Sequence, residues 1–600
     1  MAHAAPDRLN VMSALILDGQ SRAALETVQA LGRAGVAVTV AAHDGNATAF
    51  RSRYATRQVE QPPALPAHGF LSWLRELDDK HGFRLIVPST ENSLQAFLLV
   101  PESDGLRVRA VLPSNRSLEI ALDKRRCGEL AERLGIPVPA TRVVDDASIS
   151  GKAPVFPVVL KPERSKLAGG GELRTCEPVI VADESVWRCI IAEWAQRMIV
   201  LEQEYVSGWG VGVEFLYRNG NMVWYVAHER LHEWPLTGGA STYRRTIEPP
   251  PAMLEMARRL LDALEWNGAA MVEFKRRADG SFVFMEVNPR LWGSLALSID
   301  AGVNFPLGLW QLANGQQTGP QPVYRCGLRT RLLGADLNWL KANLVADRPN
   351  PLLLLRPRVR SLLEPALVLL GRERWDHFSW RDPGPFLHDT RRGLRSLTDA
   401  AWYRWRVRAM LLRRRRLIRR ACSHLEALRG SRTPRILFVC QANICRSQFA
   451  ELAARARLAG CDIESAGFDG RAGRSTPPNV AEQAGRMGFD MSACRSTSLT
   501  VDHVRRADLI LVMELSQWDR VAAMAPEAAE RTLPLGLLAA TPSVEIEDPY
   551  CRDASAVQRA LGLIASAIDG LKETFHLEHA APPAPAPVDR AVRASRLEQN

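Results

Sequence analysis

Apolar positions in the first hundred residues fall into short runs rich in Val, Ile and Leu, separated by longer amphipathic stretches. Ala14–Asp18 and Val36–Ala41 read as strands and Ser21–Ala34 as the helix between them, with Gly19 and Gly35 at the turns. Arg84–Pro88 repeats the strand signature, so the pattern predicts a small parallel-sheet β-α front domain over residues 1–115. It lacks a Gly-x-Gly-x-x-Gly fingerprint, and no dinucleotide is assigned to it. Farther on, Phe156–Lys161 predicts a strand leading into the small-residue loop Leu167–Gly171, and Asn221–Val226 alternates as a strand does. Val272–Phe274 and Phe284–Pro289 read as two strands about a turn at Asp279–Gly280, so Glu273 and Glu286 share one side, with Asn288 two residues on. From Tyr324 to Arg432 the spacing of Leu, Arg and Trp becomes helical. A new apolar run, Arg435–Cys440, then precedes the helical pattern Gln448–Leu458.

At 600 residues the chain exceeds a single core, and about three or four domains are expected. Hydrophobic content of 46% and charged content of 24% are ordinary for a globular protein. The net charge of +11 is uneven, because arginines crowd Arg391–Arg435 and make a local basic surface. Ten cysteines show no zinc spacing, Met1–Leu9 lacks a secretory signature, and no apolar run reaches the ~18 residues of a membrane span. A cytoplasmic protein is expected. The basic helical stretch suits an anionic membrane surface or a protein partner, or else a solvated connector packed on the first module. It carries no recognition motif for nucleic acid.

The sharpest chemistry lies at Cys440-Gln-Ala-Asn-Ile-Cys445-Arg446-Ser447, where a strand ends in a cysteine and a helix opens at Arg446 and Ser447. Backbone N–H groups of a tight loop backed by a helix N-terminus converge on one point and favour negative charge there. Cys440 is therefore expected to have a lowered pKa and to act as a nucleophile. Arg446 can grip two oxygens of a phosphate in a planar fork, and Ser447 can hydrogen-bond the sulfur. Sulfur attacks phosphorus, and water later hydrolyses the cysteinyl-phosphate without a metal. Downstream, Glu547-Asp548-Pro549-Tyr550 offers Asp548 as acid for the leaving oxygen and then base for water.

These pieces, with Ser465-Ala-Gly467 and Arg506–Met513, resemble the low-molecular-weight protein tyrosine phosphatases over Thr433–Leu577. The resemblance implies an α/β domain on a four-stranded parallel sheet (433–578), Cys440, Arg446 and Asp548 as catalytic residues, and Asn443, Ser447 and Ser465 as loop supports. It also implies a phosphotyrosine protein substrate, because Ile444 stands where arginine phosphatases of the family carry threonine. Four positions depart from the family pattern: Ala442 for glycine, Gln448 for proline, Cys494 for a supporting histidine, and Arg471 for an aromatic wall. Cys445 is either a packed thiol or a reversible partner of Cys440. The related arsenate reductases share the cradle, but the further cysteines they need are missing from Met513–Pro526.

Lys124–Pro306 resembles the ATP-grasp enzymes, which implies an α+β domain over 116–325 behind the front domain. By that resemblance Lys124, Lys161 and Arg290 hold phosphates, Gln203, Glu204 and Val206 form the adenine hinge, and Glu273, Glu286 and Asn288 are hard-oxygen ligands for Mg²⁺. ATP and Mg²⁺ are the expected cofactors and a small-molecule carboxylate the expected substrate of a ligase. A nucleotide sensor or scaffold that catalyses nothing is the rival. His228-Glu-Arg-Leu-His232 matches the zinc pattern His-Glu-x-x-His, but the alternation before it and Pro235 after it predict a strand instead of the helix zinc needs. In that reading the loop Thr237–Thr242 and Arg244 would touch the acceptor. Residues 326–432 are expected to form a basic helical linker and residues 579–600 a disordered tail.

Overall fold

A computed structural model describes residues 12–169, 172–368, 371, 373–428 and 432–575; the tail, and the glycines at 170 and 171, lie outside the described residues. The chain divides into two compact units: residues 1–181 with 194–396, and residues 182–193 with 397–600.

In the first unit, four parallel strands lie in the order Ala55–Glu60, Ala37–Ala42, Ser13–Ile16, Leu85–Val87. The helix Arg22–Arg33 starts where Ser21 Oγ accepts the Ala24 amide at 3.2 Å, which satisfies an otherwise orphan donor. Its Ala24, Leu25, Val28 and Leu31 are buried and join Ile16, Val38 and Val40 in one core. The front domain therefore follows the apolar pattern closely.

Besides the two-stranded pair Lys166–Gly169 and Glu172–Thr175, which stands in place of the expected loop, two larger sheets follow, antiparallel except for the parallel pair Arg329–Arg331 and Glu373–Trp375. The smaller runs Thr141–Val144, Val200–Glu204, Val158–Pro162, Val179–Val181. The larger has seven strands in the order Phe282–Asn288, Gly268–Arg276, Trp209–Arg218, Asn221–Trp234, Ala240–Ile247, Arg329–Arg331, Glu373–Trp375. Register fixes its two faces. Phe274 opposes Val211, and both enter the core beneath the helix Pro251–Ala263. Glu273 opposes Gly212 and so faces the other way.

Three expectations change here. Residues 326–432 are not simply a helical linker, since Arg329–Arg331 and Glu373–Trp375 extend the large sheet. Three-residue strands are too short for periodicity to reveal, and long-range pairing creates them. The long helix Gly384–Leu428 is present, but from Leu397 it belongs to the second unit, where Met410, Ala421 and Leu425 enter the phosphatase-side core. Arg406 pairs with Asp519 at 2.6 Å, and Arg414 donates to the Leu537 carbonyl. Its buried apolar residues therefore pack on the second module rather than the first. Arg244 is fully buried and pairs with Asp376 at 2.5 Å, so it sits inside the sheet and not on an exposed loop.

The second unit has a four-stranded parallel sheet in the order Asp462–Gly467, Arg435–Cys440, Leu509–Val512, Thr532–Pro534. From the central strand the chain goes first to one neighbour and later returns to the other. The carboxyl end of Arg435–Cys440 is thus a topological switch point, where such sheets open a crevice. The helices Arg446–Arg457 and Ala554–Phe575 cover one face, with Phe449, Ala453, Leu561 and Ile568 in the core. Cys189 and Cys551 of this unit are disulfide-bonded, whereas Cys440 and Cys445 are free thiols. Among the described residues no helix is long and apolar enough to cross a membrane.

Candidate active sites

Cys440 ends the central strand, and the chain then wraps around its sulfur. The Asn443 amide donates to Sγ at 3.2 Å and Ser447 Oγ lies 3.0 Å from it. The wrap requires Asn443 to adopt φ 51°, a left-handed conformation that Asn tolerates better than most residues. Its side chain is fixed on both sides: Nδ2 donates to Ser447 Oγ and Ser465 Oγ at 2.8 Å each, and Oδ1 accepts the Thr497 amide at 2.7 Å. Gly467 lets the neighbouring strand approach, since a Cβ there would lie 2.6 Å from the Asn443 nitrogen.

Arg446 opens the following helix and is 1% exposed. Its guanidinium donates to Asp548 Oδ2 at 2.6 Å, to the Ile546 carbonyl at 2.9 Å and to Glu514. The acid loop is thereby drawn over the cradle. Partial burial, reinforced by Glu514 and opposed by Arg446, pushes the Asp548 carboxyl above its ordinary range. Burial, with Asp548 and Cys440 nearby, pushes the Cys445 thiol well up, so it rests as a packed neutral thiol. Cradle and acid loop line a cavity of about 200 Å³, with Tyr550, Arg471 and Arg474 on its walls.

In the first unit the hairpin brings Glu273 directly opposite Glu286, and Gly280 supplies the turn with φ 86°. Asn288 Nδ2 reaches Glu273 at 3.0 Å and Glu286 at 3.4 Å. Glu273 also pairs with Arg230 at 2.5 Å. Burial raises the Glu273 carboxyl despite Arg230. Against its own burial, Glu286 is held below its ordinary range by Lys124 and Lys161, then by Arg230 and Arg290. Burial and the Lys124 charge bring Lys161 down to about 8. Lys124, Glu286 and Asn288 line one small cleft with Ser165 and Glu91, and Glu91 lies 3.7 Å from Arg290. Two facing carboxylates beside an amide and two lysines form a hard-oxygen, phosphate-seeking donor set, which fits a magnesium nucleotide.

The hinge residues lie apart from that cleft. Gln203 is buried on the small sheet and donates to Thr141 Oγ1 at 2.9 Å, while exposed Glu204 faces Arg277 at 3.5 Å. Val206 is buried where the chain leaves the small sheet for the large one. His228 and His232 sit on the strand Asn221–Trp234, and His232 stacks on Trp339 at 3.3 Å and meets Asp336 at 2.8 Å. No metal-binding cluster of His, Cys, Asp and Glu occurs among the described residues.

The family model for low molecular weight phosphotyrosine protein phosphatase matches residues 435–580. A probable low molecular weight protein-tyrosine-phosphatase of Ralstonia solanacearum, EpsP, is 36% identical over 134 residues, which cover 22% of this chain and 90% of that protein. Through this segment the chain belongs to the low molecular weight phosphotyrosine protein phosphatases. The phosphatase Etp of Escherichia coli K12 is 34% identical over 132 residues, covering 22% of this chain and 88% of Etp. Residues 195–333 match a second family model, ATP-grasp in the biosynthetic pathway with Ter operon. Among solved structures, the L-amino acid ligase of Bacillus licheniformis is 17% identical with a TM-score of 0.42, covering 53% of this chain and 78% of that one. The chain thus carries a segment, residues 195–333, that matches an ATP-grasp family model, upstream of its phosphatase domain.

Knowledge of the family makes the departures readable. Ala442 is accommodated because the left-handed position falls on Asn443 instead. With Cys494 in the histidine's place, Ser447, Ser465 and the Thr497 amide orient Asn443 without it. Gln448 accepts from Thr476 Oγ1 at 3.0 Å. Arg471 chelates Asp469 at 3.0 Å, and Arg474 reaches the same carboxylate at 3.2 Å, so much of the rim's positive charge is neutralised locally. Sequence reading missed Glu514. It lies two residues beyond Val512, at the end of the strand beside the cradle, where no local pattern marks it.

Proposed function

We propose that the second unit hydrolyses phosphotyrosine in proteins through a phosphorylated Cys440, and that the ATP-grasp region activates a small carboxylate with ATP. One observation carries the first half: Cys440, Asn443 and Ser447 converge on the sulfur while Arg446 joins the cradle to Asp548. Substrate phosphate would take over the guanidinium fork, release Asp548 from it and lie in line with Sγ. As the S–P bond forms and the P–O bond breaks, Asp548 gives its proton to the leaving phenolate. In the second step it takes a proton from water as the S–P bond breaks. Ile444 supports phosphotyrosine over phosphoarginine. The reduced thiol this chemistry needs supports a cytoplasmic location, against which the Cys189–Cys551 disulfide counts.

In the ATP-grasp region Glu273, Glu286 and Asn288 would hold Mg²⁺, which when bound neutralises phosphate charge. Lys124, Lys161 and Arg290 supply positive charge to phosphate oxygens, and Gln203, Glu204 and Val206 border the base. The facing pair Glu273 and Glu286, with Asn288 beside them, supports this reading over a passive scaffold, since it gathers hard-oxygen donors next to the phosphate-seeking Lys124 and Lys161.

Rapid quench with a ³²P-labelled aryl phosphate tests the phosphatase: label on Cys440 is expected, and label that never reaches the sulfur refutes the mechanism. Phosphotyrosyl and phosphoarginyl peptides, compared side by side, test the substrate. For the ATP-grasp region, a carboxylate panel should stimulate ADP release. A panel in which none does so favours the sensor.

A further inference from the structure

The large sheet of the first unit has a second lined cleft on the face turned away from Glu273. Register builds it: Val211 opposes Glu229, Glu229 opposes Arg245, and Arg245 opposes Arg329, while Trp209 opposes Arg276 on the same face as Val211. Arg356 lays its guanidinium 3.8 Å from the centre of the Trp209 ring and fixes itself by donating Nε to the Leu231 carbonyl at 3.3 Å. Arg360 completes the rim of a cavity of about 380 Å³.

Charge in this cleft is strongly unbalanced. Glu229 is its one lining carboxylate among the described residues, and Arg245 already holds it at 2.6 Å. Arg277 turns to Glu204 at 3.5 Å and Arg360 to Glu364 at 3.0 Å. Arg276, Arg329 and Arg356 keep no carboxylate partner among the described residues. Burial, then the Arg360 charge, holds the Arg356 guanidinium below its ordinary value, so an anion placed there relieves a repulsion the protein maintains. Gathering cations around an aromatic plate costs stability that a folding core does not require. Planar guanidinium forks suit phosphoryl oxygens in pairs.

We propose that this cleft, lined by Trp209, Arg245, Arg276, Arg329, Arg356 and Arg360, binds a small multiply phosphorylated anion, at a site separate from both the nucleotide cleft and the phosphatase cradle. The probe is inorganic triphosphate, titrated calorimetrically into the full chain and followed by hydrogen exchange. Wild type should bind it with protection in segments 209–211, 229–231 and 276–280. R276A/R329A/R356A should lose that protection and weaken that binding event at least tenfold, with its thermal midpoint no lower and aryl phosphatase turnover unchanged. Lys161→Ala should leave the same event intact. Should the triple variant fold poorly, Arg329→Gln alone must still weaken the event, and the wild-type protection map decides independently. Unchanged titration in the variants, protection confined to the cradle or the nucleotide cleft, or equal affinity for citrate would overturn the proposal.

Discussion

The two candidate active sites are built in opposite ways. Cys440, Asn443, Arg446 and Ser447 all come from one loop of eight residues, while Asp548, Glu514 and the support Ser465 arrive from elsewhere. In the ATP-grasp-like first unit the candidate set spans Lys124 to Arg290 and draws on two sheets. A contiguous cradle is closed by local backbone geometry, so its ligand-binding shape exists whenever the loop does. A dispersed cleft exists only when register and domain packing are right. Perturbation should therefore be local and severe in the first, and coupled to folding in the second.

The largest contrast is expected for Cys440→Ser, which should lower aryl phosphate turnover by at least about 10⁴-fold because the attacking atom is gone. Vanadate or sulfate binding should persist, and carboxylate-dependent ADP release should not change. Loss of both activities together would mean that the sites are not independent. Next, Asp548→Asn should slow phenyl phosphate by roughly 10²–10⁴-fold and an activated nitrophenyl ester much less. Because the Asp548 carboxyl is raised, its acid form persists to higher pH in wild type. The rate on poor leaving groups should fall as pH rises through that pKa, a limb the variant lacks. Equal slowing of both esters would remove Asp548 from the acid role.

Glu286→Gln should reduce ADP release on the order of 10²-fold or more, since several kcal/mol of charge stabilisation would be lost, and leave phosphatase turnover intact. An unchanged rate would sink the assignment of that carboxylate. The smallest effect sharpens the stability side of the comparison. Burial, then Asp376 and Asp300, raises the Glu26 carboxyl to about 7 against His377 and Arg33. A folded pKa above the unfolded one adds stability at low pH that is lost as pH rises toward about 7. Glu26→Gln should flatten this decline, worth about 3 kcal/mol, in denaturant melts of the first unit between pH 4 and 7. The melt of the phosphatase domain should be indifferent.

Legibility followed the same divide. Cys440, Arg446 and Ser447 could be read because their roles follow from spacing in one loop. The facing of Glu273 and Glu286 was readable too, through alternation about a glycine turn. Glu514 escaped notice because a lone glutamate after an apolar strand has no pattern of its own. The strands Arg329–Arg331 and Glu373–Trp375 escaped because three residues cannot display a period.

By itself the sequence determined the order of elements, the nucleophile's loop and the apolar faces, since these depend on propensities and on residues close along the chain. Tertiary structure decided which face of the large sheet carries carboxylates and which carries arginines. It also decided that the basic helix packs on the phosphatase core, and that Asp548 meets Arg446 across 102 positions. Those outcomes depend on register and on contacts between distant segments, where a shift of one residue turns every side chain to the other face.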